Sequence, residues 1–260
     1  MTTLKLIKTI VFYNFLNYKK KMRTKTSLIL LAIATMQAST KVSSEYEIKL
    51  AEQVKYNKII HNNTKYHVIT IPQHEIKNYD VSILFSDEHK NLEELVDEKT
   101  IVAINGSFFT NNRIIGLTRT NNRNITPHER IRGSGYLTIN EEEVKIQKDM
   151  PDTTEYTSIL QSFPLIKYEG EIKKINNGKR RHRTAIALDE DNLYFIKTHK
   201  NMFFGNRINM HKFAEFAESQ NYKTMLNLDG GGSSQIYFNN NKIGGRRKIP
   251  NAIAISRRNK

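Results

Sequence analysis

The chain has 260 residues, 38% of them hydrophobic, no cysteine and a formal charge of +15. That length builds a core without staples, and the missing cysteine excludes disulfides, thiolate metal sites and cysteine nucleophiles together. Half of the charge is N-terminal: residues 1–44 carry eight basic residues and no acid, so their removal lowers the net charge from +15 to +7.

In chain order, Lys19, Lys20, Lys21, Arg23 and Lys25 form a basic block, Ser27 to Met36 is mostly apolar, and Gln37-Ala38-Ser39 is small and polar. This layout predicts a secretory signal over residues 1–40, cleaved near Ala38, and an exported mature domain over 45–260. The apolar run is short for a membrane span, so no stable span is expected after signal removal. Tyr66 to Ile71 and Tyr79 to Phe85 alternate as strands, Leu92 to Lys99 reads as a short helix capped by Asn91, and Thr100 to Ile104 as a buried strand. Asn111 to Arg132, rich in Asn, Thr, Gly and Arg, is expected to be a long loop or flap. Tyr136 to Ile139, Arg183 to Leu188, Leu193 to Lys197, Tyr222 to Leu226, Gln235 to Phe238 and Ala252 to Ser256 read as strands. Met210 to Ser219 reads as a helix behind Asn209, with Phe213 and Phe216 on its core face. The expected fold class is α/β or α+β, a single domain with a mixed β-sheet flanked by helices.

The stretch Asn227-Leu228-Asp229-Gly230-Gly231-Gly232-Ser233-Ser234-Gln235 sets an acid at a strand end, followed by three residues without a Cβ and two hydroxyls. Such a turn lets a ligand approach the backbone, which suits an anion or a sugar; a plain glycine-rich connection is the alternative. Asn105, Gly106 and Ser107 follow a buried strand directly and so sit at a strand end as Asp229 does. Arg183 opens another apolar strand behind Lys179, Arg180 and Arg181, and its planar fork matches a phosphate. Asn251 heads the last strand. Beyond Asp229 there is no acid, while Lys242, Arg246, Arg247, Lys248, Arg257, Arg258 and Lys260 are basic. A basic end of this kind steers anionic substrates, or is simply a solvated tail. No helix-turn-helix, zinc finger or aromatic-glycine single-strand motif is present, so no nucleic-acid partner is expected. No His-Glu-x-x-His or similar spacing occurs among the histidines, and neither a metal nor another cofactor is expected.

The order Ala103-Ile104-Asn105-Gly106-Ser107-Phe108-Phe109, Gln161-Ser162-Phe163-Pro164-Leu165-Ile166 with Gly170 behind it, Arg183-Thr184-Ala185-Ile186, Asn227 to Ser234, and Asn251-Ala252-Ile253-Ala254-Ile255 resembles the phosphodiester glycosidase domain. A lysosomal member of that family removes N-acetylglucosamine from a phosphodiester on mannose. The chain departs from the family at Ser107 and Ala187, where glycine is usual. The resemblance implies an exported hydrolase that cleaves the glycosidic bond of a sugar-1-phosphodiester in a glycan or cell-envelope polymer. It implies Asp229 and Arg183 as catalytic residues, with Asn105, Gly106, Ser107, Gly230, Gly231, Gly232, Ser233, Ser234 and Asn251 binding substrate. Asp229 would activate water or stabilise positive charge at the anomeric carbon, and Arg183 with the glycine amides would clamp the leaving phosphate. A non-catalytic module for anionic glycans and a phosphodiesterase cutting the P–O bond are the alternatives.

Overall fold

In the computed structural model the structure describes residues 43–51, 53–111, 113–199 and 207–258. The expected signal over residues 1–40 lies outside these. Residues Val42–Lys260 form one compact unit. Its strands, in chain order, are β1 (Ser43–Lys49), β2 (Lys55–His61), β3 (Thr64–Pro72), β4 (Tyr79–Lys90), β5 (Thr100–Asn105), β6 (Thr118–Thr120), β7 (Arg123–Thr126), β8 (Gly135–Ile139) and β9 (Val144–Gln147). They continue as β10 (Ser158–Ser162), β11 (Leu165–Tyr168), β12 (Glu171–Ile172), β13 (Thr184–Leu188), β14 (Asn192–Thr198), β15 (Thr224–Asn227), β16 (Gln235–Phe238), β17 (Asn241–Gly244) and β18 (Ile249–Arg257). The α-helices among the described residues are the four-residue α1 (Leu92–Leu95) and the ten-residue α2 (Met210–Ser219).

Three sheets result, with orders β1-β2-β3-β14-β13-β15-β11-β12, β7-β6-β10-β8-β9 and β17-β16-β5-β18-β4. Every pairing that joins them is antiparallel. The expected α/β or α+β class with a mixed, helix-flanked sheet is therefore wrong, and the protein is mostly β. The misreading has a physical source. Fully buried runs such as Thr184-Ala185-Ile186-Ala187-Leu188 are typical of parallel strands covered by helices. Here the cover on one face is another sheet: Ile186, Phe195 and Leu226 of the large sheet pack with Leu137 and Leu160 of the second and Val102 and Ile253 of the third. The alternate residues Ala185, Ala187 and Met225 turn the other way, onto Phe213 and Phe216 of α2. Tyr66 lies flat on Phe216, with ring centroids 3.7 Å apart. In the same manner Leu92 of α1 packs on Ala103, Ala252 and Ala254 of the third sheet.

Local sequence explains where the helices stop and start. Asn91 and Glu94 form the capping box of α1, and the Asn209 side chain accepts the Lys212 amide at the start of α2. The segment from Asn111 to Arg132 is not an open flap, because it contains the β6–β7 hairpin. Gln161 pins it: its Oε1 accepts the amides of Leu117 and Glu129, and its Nε2 donates to the Glu129 carbonyl.

Candidate active site

Asp229 stands where the chain leaves the large sheet at β15 and enters the third at β16. Its main chain is fixed from three directions. The Asn105 side chain donates to the Asp229 carbonyl at 2.8 Å, the Thr184 hydroxyl donates to the same oxygen at 2.6 Å, and the Asp229 amide donates to Gly106 at 3.1 Å. The carboxyl, held at Oδ1 by the Gly230 amide at 2.8 Å, is half-buried. Burial pushes its pKa above the ordinary aspartate value, against the Ser233 hydroxyl, the Gly230 amide and the charges of Arg247 and Arg181.

Gly106 is the joint between the strand ends. A Cβ there would lie 2.3 Å from Asn251 Oδ1, so glycine alone lets β18 and β5 close against each other at this point. Asn251 donates to the Ser107 hydroxyl at 3.1 Å, and both side chains are buried. Asn105 is engaged at both ends, accepting the Gln235 amide at 2.9 Å as well as holding Asp229. These three side chains thus support the Asp229 turn. Unpartnered buried polar atoms gather around that support, among them Asn227 Oδ1, Ser234 Oγ, Gln235 Oε1 and Asn251 Oδ1. Such atoms are uncommon in interiors.

The glycine turn is built differently from the expected amide clamp. The Gly230 amide serves Asp229 and the Gly231 amide serves the His182 carbonyl at 2.8 Å. Gly231 needs its glycine for φ +64°, and a Cβ on Gly230 would meet the His182 carbonyl at 2.7 Å. The turn is closed from outside by a second glycine pair, since a Cβ on Gly245 would lie 1.7 Å from the Gly232 carbonyl.

Arg183 is adjacent but turned inward. It is 8% exposed, its Nη2 donates to the Lys179 carbonyl at 2.6 Å and its Nε to the Ile208 carbonyl at 3.3 Å. Its guanidinium therefore shapes the 179–183 loop. The side chains that line the open cleft of about 540 Å³ beside the turn are Lys179, Arg180, Arg181, His182, Lys197, Arg207 and Arg246, with Gly231, Gly232, Ser234, Gly244 and Gly245 as its bare backbone floor. Among the described residues every ionisable group on that lining is basic. Arg247, outside the lining, stacks its guanidinium 4.4 Å from the Phe109 ring centre. Arg207 and the pair Gly244-Gly245 escaped the sequence reading, while Arg181 entered it only as part of a basic cluster and Lys197 only as a strand residue. Signals for two of them were present: a lysine inside the otherwise buried run Phe195-Ile196-Lys197-Thr198, and two glycines directly before Arg246-Arg247. No three histidine or acidic side chains among the described residues are grouped to hold a metal ion. No helix among them is long and apolar enough to cross a membrane.

The antiparallel three-sheet fold thus sets the Asp229 turn beside a cleft whose ionisable lining groups, among the described residues, are all basic. The family follows from comparison with known proteins. The phosphodiester glycosidase family model matches residues 98–256, and the chain belongs to that family. Among solved structures, the fold matches the catalytic domain of zebrafish N-acetylglucosamine-1-phosphodiester alpha-N-acetylglucosaminidase, auto-inhibited by its pro-peptide, with a TM-score of 0.64 at 16% identity over 85% of this chain and 88% of that one. A hypothetical protein from Synechocystis matches with a TM-score of 0.64 at 14% identity over 83% of this chain, which spans 64% of that protein's length. No curated protein matches the sequence.

Proposed function

We propose that this protein is an exported hydrolase that cleaves the glycosidic bond of a sugar-1-phosphodiester in a glycan or cell-envelope polymer. The observation that carries the reading is the half-buried Asp229 carboxyl on the glycine turn whose Gly231 and Gly232 floor an all-basic cleft, with the charges of Arg247 and Arg181 acting on it. A phosphate monoester leaves as an anion without a proton donor, because its second pKa is about 6. A site for this reaction needs positive charge around the leaving group more than it needs a second carboxylic acid. Arg181 and Arg247 supply that charge. Asp229, ionised, activates the attacking water or stabilises positive charge at the anomeric carbon. Asn105 and Thr184 fix its backbone, and Arg183 fixes the loop that carries Arg181.

The test is hydrolysis of synthetic sugar-1-phosphodiesters in oxygen-18 water, with products read by mass spectrometry. Label in the released sugar and none in the phosphate supports the proposal. Label in a phosphate that stays on the sugar makes the protein a phosphodiesterase, and saturable binding without product makes it a binding module. Export is tested by N-terminal sequencing of the protein released by its host, expected to begin between residues 35 and 45. An intact Met1 on a cytoplasmic protein removes that part of the proposal.

A further inference from the structure

The sequence holds two Asn-Gly pairs, Asn105-Gly106 and Asn177-Gly178, and the fold treats them oppositely. In such a pair the glycine nitrogen can attack the side-chain carbonyl carbon of the asparagine, because no Cβ on the second residue obstructs the approach. At Asn105 every group needed for that attack is occupied. The side chain is 1% exposed, its Nδ2 donates to the Asp229 carbonyl, its Oδ1 accepts the Gln235 amide, and the Gly106 amide donates to the Asn251 carbonyl at 3.0 Å. At Asn177 the pair is open. Both residues are exposed, and among the described residues no hydrogen bond occupies the Gly178 amide or the Asn177 Nδ2. Gly178 sits at φ +61°, and only Arg183 Nη2 and the Asn176 carbonyl, each 3.9 Å away, come near the place of a Cβ, so a ring has room to form. The surroundings favour the attack electrically as well. Asn177 Oδ1, where negative charge develops, accepts the His211 amide at 3.3 Å at the N-terminus of α2, a donor already aimed at the tetrahedral intermediate. Lys179, Arg180 and Arg181 follow directly, and their charges favour the deprotonated form of the attacking nitrogen.

We infer that Asn177 is a site of spontaneous modification whose product changes the charge at the mouth of the basic cleft. The Gly178 nitrogen bonds to Asn177 Cγ, its proton leaves with the side-chain nitrogen as ammonia, and water then opens the cyclic imide at either carbonyl. The product is aspartate or isoaspartate. A neutral amide thereby becomes a carboxylate beside Lys179, Arg180 and Arg181, which line the cleft, and anion binding there weakens as the protein ages. The modification consumes only water, so it stands whether or not the proposed reaction does.

The test incubates the folded protein at neutral pH and follows both pairs by peptide mapping, reading the mass gain of amide-to-acid conversion and the enzymatic methylation of isoaspartate. Conversion at Asn177 and not at Asn105 is expected, whereas a chain held unfolded in denaturant should convert at both. Equal conversion of the two pairs in the folded protein overturns the assignment, as does an intact Asn177 over a period in which the unfolded chain converts there. The effect on the cleft is read by calorimetric titration with inorganic pyrophosphate. Asn177→Asp should bind it roughly two- to fivefold more weakly than the unconverted wild type, the worth of one exposed charge interaction. That variant keeps the acceptor for His211 and sets a negative charge at a helix N-terminus, so a fall in binding does not come from unfolding. Asn177→Gln should bind as the wild type does and stay unconverted. Equal affinities for Asn177→Asp and wild type, or no binding by the wild type, overturn the effect on the cleft.

Discussion

The Asp229 carboxyl carries two consequences of one environment. Its native pKa is raised, chiefly by burial, so ionising it opposes folding. Below the unfolded-state pKa the group is neutral in both states and the native state keeps its full stability; that stability is lost as pH rises through the native value. Asp229→Asn, which still accepts the Gly230 amide, should therefore melt above the wild type at pH 7, with the gain closing below about pH 4. Thermal melting across pH reads this directly. The same variant should lose about 10³-fold in kcat, since general acid–base groups contribute on the order of 10²–10⁴-fold, and the acid limb of the wild-type pH profile should lie above the usual aspartate range. A stable Asp229→Asn protein with wild-type turnover would reduce Asp229 to a turn residue. Arg183→Lys is expected to act otherwise. Lysine cannot reach the carbonyls of Lys179 and Ile208 together, so the loop carrying Arg181 should loosen. About 1–3 kcal/mol of stability should go with it, and KM should rise more than kcat falls. Denaturant unfolding with steady-state kinetics separates the two effects.

At the level of elements, the site is assembled where the chain passes from sheet to sheet. Asn105 to Phe109 leads from β5 of the third sheet toward β6 of the second, Ser162 to Pro164 from β10 of the second to β11 of the first, and Leu228 to Ser234 from β15 of the first to β16 of the third. The three crossings touch: Ser162 Oγ donates to the Asn227 carbonyl at 2.7 Å, Asn227 Nδ2 donates to the Phe163 carbonyl at 2.8 Å, and the Phe108 and Phe163 rings stack at 4.3 Å. The strand ends at Asn105 and Asp229 were legible in the sequence, because glycine and small polar residues interrupt apolar runs there, whereas Ser162 to Pro164 entered only through the family resemblance. The helix Met210–Ser219 and its Asn209 cap were legible for the same local reason. Sheet membership was not, because burial on both faces looks alike whether a helix or a sheet provides the cover. Nor was the inward turn of Arg183, since the carbonyls it binds belong to loops whose paths depend on tertiary packing. The glycine pair after β17 shows what local reading leaves out. Gly245→Ala would drive a methyl into the Gly232 carbonyl, so a loss of about 1–3 kcal/mol from overpacking is expected, together with lost activity as the Asp229 turn shifts. Thermal melting and turnover of that variant should fall together.

Across the whole molecule, the basic excess beyond Asp229 is not a tail. Lys242 pairs with Glu93 at 2.7 Å, and Arg258 donates to the carbonyls of Tyr79 and Glu141. Among the described residues of this excess, Arg246 lines the cleft and the charge of Arg247 acts on Asp229. Arg257 closes the far end of β18, about 20 Å from Asn251 at roughly 3.3 Å per residue, which is beyond the Debye length of about 10 Å at 0.1 M salt. Activity on an anionic polymer should fall as salt rises, and Arg246→Gln should reproduce part of that fall at low salt, whereas Arg257→Gln should not. Rate constants for all three proteins across a salt series check it.

The position of β18 has a consequence in time. It is the last strand among the described residues, yet it lies between β5 and β4, with seven of its nine residues buried. Chains emerge N-terminus first, so until β18 appears β4 and β5 face each other across an empty lane, each with an unpaired edge, and Gly106 has no Asn251 to close upon. The molecule therefore joins β4 to β5 and gains the Asn251 contact at Gly106 in a single late step. Until β18 is in place, β4 and β5 stay open-edged, and its insertion closes the sheet between them.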